Sequence, residues 1–203
     1  MKHEGWTAEA SALGVELPEG AASRLDRFER LLLQRAVVEG MVASGDAPRI
    51  RTRHVLDCLR AAPLVVGTRA YDLGSGAGLP GVVIAIARPE LHVTLVEARR
   101  HRVDFLSEVV TELALTNAAV YPRKAETLEE RVDLCLSRAF ATAPVAWAVA
   151  ERLLLPQGML LYWAGRRAHL QDRLPAEVSI EPVEPSGLEG AGPVVILRRR
   201  SGV

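Results

Sequence analysis

From Arg69 onward, short apolar runs alternate with stretches of helical length, and few folds accommodate that rhythm. The runs are Ala70–Leu73, His92–Val96, Ala118–Tyr121, Val132–Leu136 and Met159–Trp163, with helix-like segments at Leu79–Arg88, His101–Leu115 and Pro144–Leu155. Strands joined by helical crossovers run parallel, and a parallel sheet needs cover on both faces. The pattern therefore predicts an α/β chain, doubly wound around a mostly parallel sheet. Two further runs, Val178–Val183 and Val194–Arg198, flank the glycine-containing loop Glu184–Gly192. They predict a hairpin that places an antiparallel strand at the sheet edge. Residues 1–67 read differently: Leu25, Phe28, Leu31, Leu32 and then His54, Val55, Leu56, Leu59 recur near the helical period, with a break from Ser44 to Pro48. We expect a helical extension over 1–67, packed on the same domain as 68–203.

The string Asp72-Leu73-Gly74-Ser75-Gly76-Ala77-Gly78-Leu79-Pro80-Gly81 follows the first strand run and opens a helix. Glycines at this junction allow a sharp turn and bring a ligand close to main-chain N–H groups at the positive end of the helix. Gly76 to Gly81 also satisfies the G-x-G-x-x-G dinucleotide pattern. The next strand run ends at Glu97, where a carboxylate accepts hydrogen bonds from both hydroxyls of an adenosine ribose. Asp72 is ionisable at the end of an apolar strand, so it requires hydrogen-bond partners, and we place it in the ligand loop. Loop and ribose acid suit both a nicotinamide oxidoreductase and an S-adenosylmethionine methyltransferase. The acid two positions before the first glycine, and the long helical segment ahead of the loop, favour the methyltransferase.

Composition removes other classes. The 25 basic and 25 acidic side chains cancel, which argues against a protein that coats nucleic acid indiscriminately. Lys2 and Lys124 are the sole lysines, so the cations are almost all arginines, suited to bidentate phosphate and base-edge contacts. Cys58 and Cys135 are too few for a disulfide framework, and both fall in apolar runs where an inert thiol is expected. His3, His54, His92, His101 and His169 lack metal-ligand spacing, so no metal is expected. The longest apolar stretches are broken by Pro80, Gly81, Arg88 and Pro144, and no signal peptide opens the chain, so a cytoplasmic protein with no membrane partner is expected.

Over roughly residues 50–200 the chain resembles the ribosomal small-subunit RNA methyltransferase G family, also called glucose-inhibited division protein B. The resemblance rests on Arg53-His54-Val55-Leu56-Asp57, the string at 72–81 with Ala87-Arg88-Pro89 after it, Arg102 with Phe105-Leu106, Ala125-Glu126, and Ser137-Arg138-Ala139-Phe140-Ala141. It implies a seven-stranded, Rossmann-like class I methyltransferase sheet, S-adenosylmethionine as cofactor, and N7 of one guanine (guanine 527) in 16S ribosomal RNA as acceptor. By the same resemblance Gly74, Gly76, Gly78 and Leu79 line the methionine and ribose part of the cofactor, and Glu97 holds the ribose. Ala125 and Glu126 flank the adenine, and Arg138, the catalytic candidate, sits where cofactor and target base meet. Arg53, His54, Arg102 and Lys124 are the expected RNA contacts, and the 30S subunit the expected setting, with a monomer by default. The chain departs from the family at Gln34–Gly40, where an Asn-Leu-Thr segment is usual, and at His101 and Lys124. At Ala164-Gly165, where a lysine-glycine pair is usual, Arg166 and Arg167 follow.

Methylation at guanine N7 is an in-line displacement by a ring lone pair, and no proton has to be removed. Positioning and electrostatics suffice, so the lack of an acid–base pair fits the chemistry. No Asn/Asp-Pro-Pro-Tyr/Phe string for exocyclic amines follows the fourth strand. Three other readings stay open: the same fold with a different acceptor, a binder that has lost catalysis, and an oxidoreductase. His54 lies among Arg49, Arg51, Arg53 and Arg60, which suits either a phosphate contact or a histidine packing the helices on the sheet. Arg198-Arg199-Arg200 suits an RNA contact or a solvated chain end.

Overall fold

The computed structural model describes residues 4–165, 174–184, 188 and 190–200. Lys2, His3, Arg166, Arg167 and His169 lie outside them.

Seven strands form one sheet: β1 (Arg69–Leu73), β2 (His92–Val96), β3 (Ala118–Tyr121), β4 (Val132–Arg138), β5 (Leu154–Trp163), β6 (Val178–Val183) and β7 (Val194–Arg199), in the order β3-β2-β1-β4-β5-β7-β6. The pairs that join β1 to β5 are parallel, as the alternation requires. The expected hairpin forms, and its antiparallel strand is β7, which pairs with β5 on one side and β6 on the other. The antiparallel strand thus stands one place in from the edge, and β6 closes the sheet. The chain steps outward from β1 to β3 and returns at β4, so the order reverses between β1 and β4. A crevice opens at the carboxyl ends of strands at such a reversal.

Successive side chains on a strand point to opposite faces, and the two faces have separate cores. On one face Val93, Leu95, Leu134, Leu136 and Leu161 pack with Phe105, Leu106 and Val109 of α5 (Arg100–Glu112) and with all of α4 (Gly81–Ala87) except its glycine. On the other, Tyr71, Leu73, Cys135 and Leu160 meet Ala146, Trp147 and Ala150 of α6 (Ala143–Leu153). Every residue of α4 is buried because α4 lies between the sheet and the N-terminal helices. Those helices, α1 (Glu4–Ala12) and α2 (Ala21–Leu31), bury Trp6, Leu25 and Phe28 in the same core as α4. Trp6 also stacks under the Arg51 guanidinium at 4.0 Å, a cation–π contact.

After α2 the helix widens over Leu32–Ala36, and Ser44–Arg49 forms a tighter 3-10 turn containing Pro48. A second wide stretch, Ile50–Leu56, runs into the short regular turn α3 (Asp57–Leu59). Departures of this kind gather at functional sites, and the second of these brings Thr52, Arg53 and His54 to the cleft beside Arg138 at the end of β4.

Candidate active site

The crevice at the reversal is a cleft of about 790 Å³. Its floor is the glycine loop at Gly74–Ala77 and Leu79, one wall is Met41–Ala43 with Arg49, Thr52, Arg53, His54 and Asp57, and the other is Arg138 and Ala139 with Tyr162–Gly165. Arg102 and Gly190–Gly192 complete it.

Asp72 organises the loop from below. It is 1% exposed, and its Oδ2 accepts the Gly81 N–H at 3.0 Å, while the Ser75 hydroxyl donates to the Asp72 carbonyl at 3.0 Å. A Cβ on Gly81 would meet Asp72 Oδ2 and Leu95 Cδ2 at 2.5 Å, so only glycine fits. Asp72 therefore holds the loop and does not itself line the cleft. Burial pushes its carboxyl up to about 7, against the lowering effect of its hydrogen bonds. Gly74 turns the loop at φ +68, with Phe140 so close that an added Cβ would lie 2.5 Å from Cδ2. The expected cofactor loop and the Ser-Arg-Ala-Phe-Ala segment are thus in van der Waals contact. Gly78 is buried against Val82 and Leu106.

Glu97, at the end of β2, is 6% exposed and almost saturated with donors. Its Oε2 accepts Gly76 N–H at 3.1 Å, and its Oε1 accepts the N–H groups of Ala98 and Arg99 at 2.9 Å each. The Arg102 guanidinium stands 3.6 Å away, and its Nε is buried without a partner. Lys124, Ala125 and Glu126 occupy the turn after β3, away from the cleft lining, with Lys124 and Glu126 exposed. Arg152 of α6 holds this turn from behind by donating to the carbonyls of Ala125 and Leu128 at 2.6 and 3.0 Å.

Arg138 ends β4, and Ala139 after it adopts φ +56, a left-handed backbone rare for alanine and characteristic of functional sites. Its Nη2 donates to His54 Nδ1 at 2.8 Å and to the Arg53 carbonyl at 3.3 Å, and its Nε lies 3.6 Å from Asp57 Oδ2. Asp57 also pairs with Arg60 at 2.9 Å, and its carbonyl accepts the Trp163 indole N–H at 3.0 Å. On its far side His54 meets Asp46 Oδ2 at 3.1 Å. Burial, then the Arg138 charge, hold the His54 imidazole below its ordinary pKa, with Asp46 opposing. Both cysteines are fully buried, and burial pushes the Cys58 thiol up to about 12 and that of Cys135 up as well, so neither is a nucleophile.

Of the expected site residues, Gly74, Gly76, Leu79, Arg53, His54, Arg102 and Arg138 meet in the cleft. Asp72, Gly78 and Glu97 lie beneath or beside the loop. Sequence reasoning gave no role to Asp46, Asp57, Tyr162 or Trp163. For Asp57 a signal existed: three residues from His54, it shares that residue's helix face. Among the described residues, no group of three or more His, Cys, Asp or Glu side chains is placed to hold a metal ion, and no helix is long and apolar enough to cross a membrane.

The chemistry of the groups fits S-adenosylmethionine: a buried carboxylate at the end of β2, a loop N–H group beside it, and Arg102, whose Nη1 stands 3.6 Å from that carboxylate and whose buried Nε has no partner. The family model "rRNA small subunit methyltransferase G" matches residues 21–186. A protein of Xanthomonas euvesicatoria pv. vesicatoria named ribosomal RNA small subunit methyltransferase G is 37% identical over 184 residues, covering 88% of this chain and 87% of its own length. One of the same name from Nocardioides sp. is 43% identical over 146 residues, covering 70% of this chain and 58% of its own length. Among solved structures, MtNAS in complex with MTA and tNA superposes with TM-score 0.60 at 16% identity, over 90% of this chain and 72% of that one, a likeness of fold.

Proposed function

Because the chain belongs to the rRNA small subunit methyltransferase G family, we propose that the cleft carries out methyl transfer from S-adenosylmethionine to N7 of one guanine in 16S ribosomal RNA, guanine 527 by family resemblance. The chain is an S-adenosylmethionine-dependent rRNA methyltransferase; the position of the acceptor atom and the 30S subunit as its setting are our reading. The observation that carries it is Arg138, fixed at the end of β4 in the same cleft as the glycine loop.

When bound, the cofactor supplies an activated methyl group on a sulfonium. The residues of the chain hold and orient. By the family resemblance we assign Glu97, which keeps acceptor capacity beside its three backbone N–H contacts, to the ribose hydroxyls. Ala125 and Glu126, which stand outside the cleft lining, are assigned to the adenine side on the same ground, with the glycine loop as the floor of the cleft. Arg138 offers the fixed donors of a guanidinium, the geometry that recognises guanine O6 or a phosphate. Since N7 attacks through a lone pair, no residue has to remove a proton, and pre-orientation supplies the rate. Ala164, where the family usually has lysine, is 7% exposed and adds no cation to the cleft.

The test is transfer of labelled methyl from S-adenosylmethionine to 30S subunits from a strain lacking this family's enzyme, followed by digestion to nucleosides. Label in 7-methylguanosine is expected. Cofactor binding with no label in the RNA overturns the reading in favour of another acceptor or a binder.

A further inference from the structure

Arg138 is the end of a relay that begins in the N-terminal segment. Asp46 sits in the 3-10 turn, where Arg49 Nη2 and Arg53 Nε each stand 3.3 Å from its Oδ1. Its free oxygen, Oδ2, faces His54 Nε2, and the opposite ring nitrogen, Nδ1, receives the N–H of Arg138. A guanidinium has only donors, so Nδ1 must carry a lone pair and the ring proton must lie on Nε2, pointing at the carboxylate. One helical turn further, Asp57 meets the Nε of Arg138. His54 and Asp57, three residues apart on one face of the helix, thus grip the same guanidinium from two sides, one as a neutral acceptor and one as an anion.

We propose that His54, oriented by Asp46, is a positioning residue for Arg138 in methyl transfer. The proposal rests on the reading that Arg138 acts at the reacting groups. An arginine lining a cleft loses rotamer freedom when it is fixed, and this relay fixes it before substrate arrives. The charged groups facing His54 are Asp46 from the 3-10 turn, Arg138 from β4 and Arg53 from its own helix, with Asp57 beyond Arg138. Two of the nearest three are cations, and the depressed pKa of the ring keeps it neutral at neutral pH. A proton added at Nδ1 would replace the acceptor by a donor facing a cation, and Arg138 would be released.

The full-length protein is assayed with S-adenosylmethionine and 30S subunits across a pH series, with S-adenosylhomocysteine binding measured separately. His54→Ala is expected to lower kcat about 10–100-fold and to change cofactor affinity less than about 3-fold. His54→Asn places Oδ1 where Nδ1 stands and cannot titrate, so it recovers most of the rate and loses the acid limb of the wild-type profile. His54→Gln, whose amide reaches the Nε2 position, does not recover. A His54→Asn variant as slow as His54→Ala, or one that keeps the acid limb, overturns the proposal. A second readout needs no turnover: the 15N spectrum of His54 shows the Nε2–H tautomer, and its pKa rises in Arg138→Ala and falls in Asp46→Asn. An Nδ1–H tautomer, or a pKa indifferent to Arg138→Ala, also overturns it. Should Arg138→Ala transfer methyl at the wild-type rate, the role assigned to Arg138 fails and the positioning role with it. Should the wild type leave 30S subunits unlabelled, the acceptor assignment fails, and the spectrum still decides whether His54 holds Arg138.

Discussion

Asp72 Oδ2 lies 3.0 Å from the N–H of Gly81, a bond that closes the whole glycine loop by tying the end of β1 to the first residue of α4. The partner oxygen, Oδ1, is buried with no hydrogen bond. Desolvation therefore outweighs the lowering effect of the Ser75 and Gly81 hydrogen bonds and raises the carboxyl to about 7.

That shift fixes the sign of a pH effect. A carboxyl whose folded-state pKa is raised gives a contribution that is complete below about pH 4 and is lost as pH rises through about 7. Between those limits the folded state holds one proton more than the unfolded state, and stability falls by up to about 1.4 kcal/mol per pH unit from this group. Asp72→Asn removes the proton exchange. The stability of the wild type relative to the variant, from urea midpoints, should therefore fall from pH 5 to pH 7, by about 1–2.5 kcal/mol. A difference that does not vary with pH would show that Asp72 is ionised throughout.

The contacts of the loop glycines lead to graded costs. Gly81→Ala drives a methyl against Asp72 and Leu95, both backed by the core, and should cost about 2–4 kcal/mol. Gly74→Ala combines a clash with Phe140 and a positive φ, and about 1–2 kcal/mol of its cost is backbone strain. Gly165, with nothing within 4 Å of an added Cβ, serves as control, and its alanine variant should stay within about 0.5 kcal/mol of the wild type. Thermal unfolding of the three variants ranks them.

Glu97 gives a prediction about the cofactor. Its carboxylate accepts three backbone N–H groups and faces Arg102. Glu97→Ala leaves those donors without an anion and removes the proposed ribose acceptor, and each charged hydrogen bond is worth about 1.5–3 kcal/mol. S-adenosylhomocysteine affinity, measured by calorimetry, should fall about 10–100-fold, with Glu97→Gln in between. Unchanged affinity would remove Glu97 from the cofactor site.

The parallel core, both faces of the sheet and the placement of the loop were legible because each rests on local signals: strand-length apolar runs, helix-length spacers, glycines at a strand-to-helix junction. The position of β7 inside β6 was not, since pairing order among hairpin strands depends on contacts with β5 that no local pattern encodes. In the site, Glu97 was singled out from its place at a strand end, and Arg138 from the resemblance of its Ser-Arg-Ala-Phe-Ala segment to a known family. Asp46, the partner of His54, was not, because it lies on a separate turn whose approach is set by the fold of residues 32–56. Asp72 was recognised as needing partners, but not that they would turn it inward, away from the cleft.

Arg53 separates RNA binding from cofactor binding. Its side chain is 56% exposed at the cleft rim, and Asp46 at 3.3 Å is its anion among the described ion pairs. A phosphate contact of this kind is independent of sequence and releases about one counterion. Arg53→Ala should weaken binding to a 16S ribosomal RNA fragment uniformly and reduce the slope of log affinity against log salt by about one. Its S-adenosylhomocysteine affinity should not move, because only the Arg53 carbonyl, which the substitution keeps, reaches Arg138. If RNA affinity and salt slope both match the wild type, Arg53 makes no phosphate contact and the RNA backbone does not cross the rim at this residue.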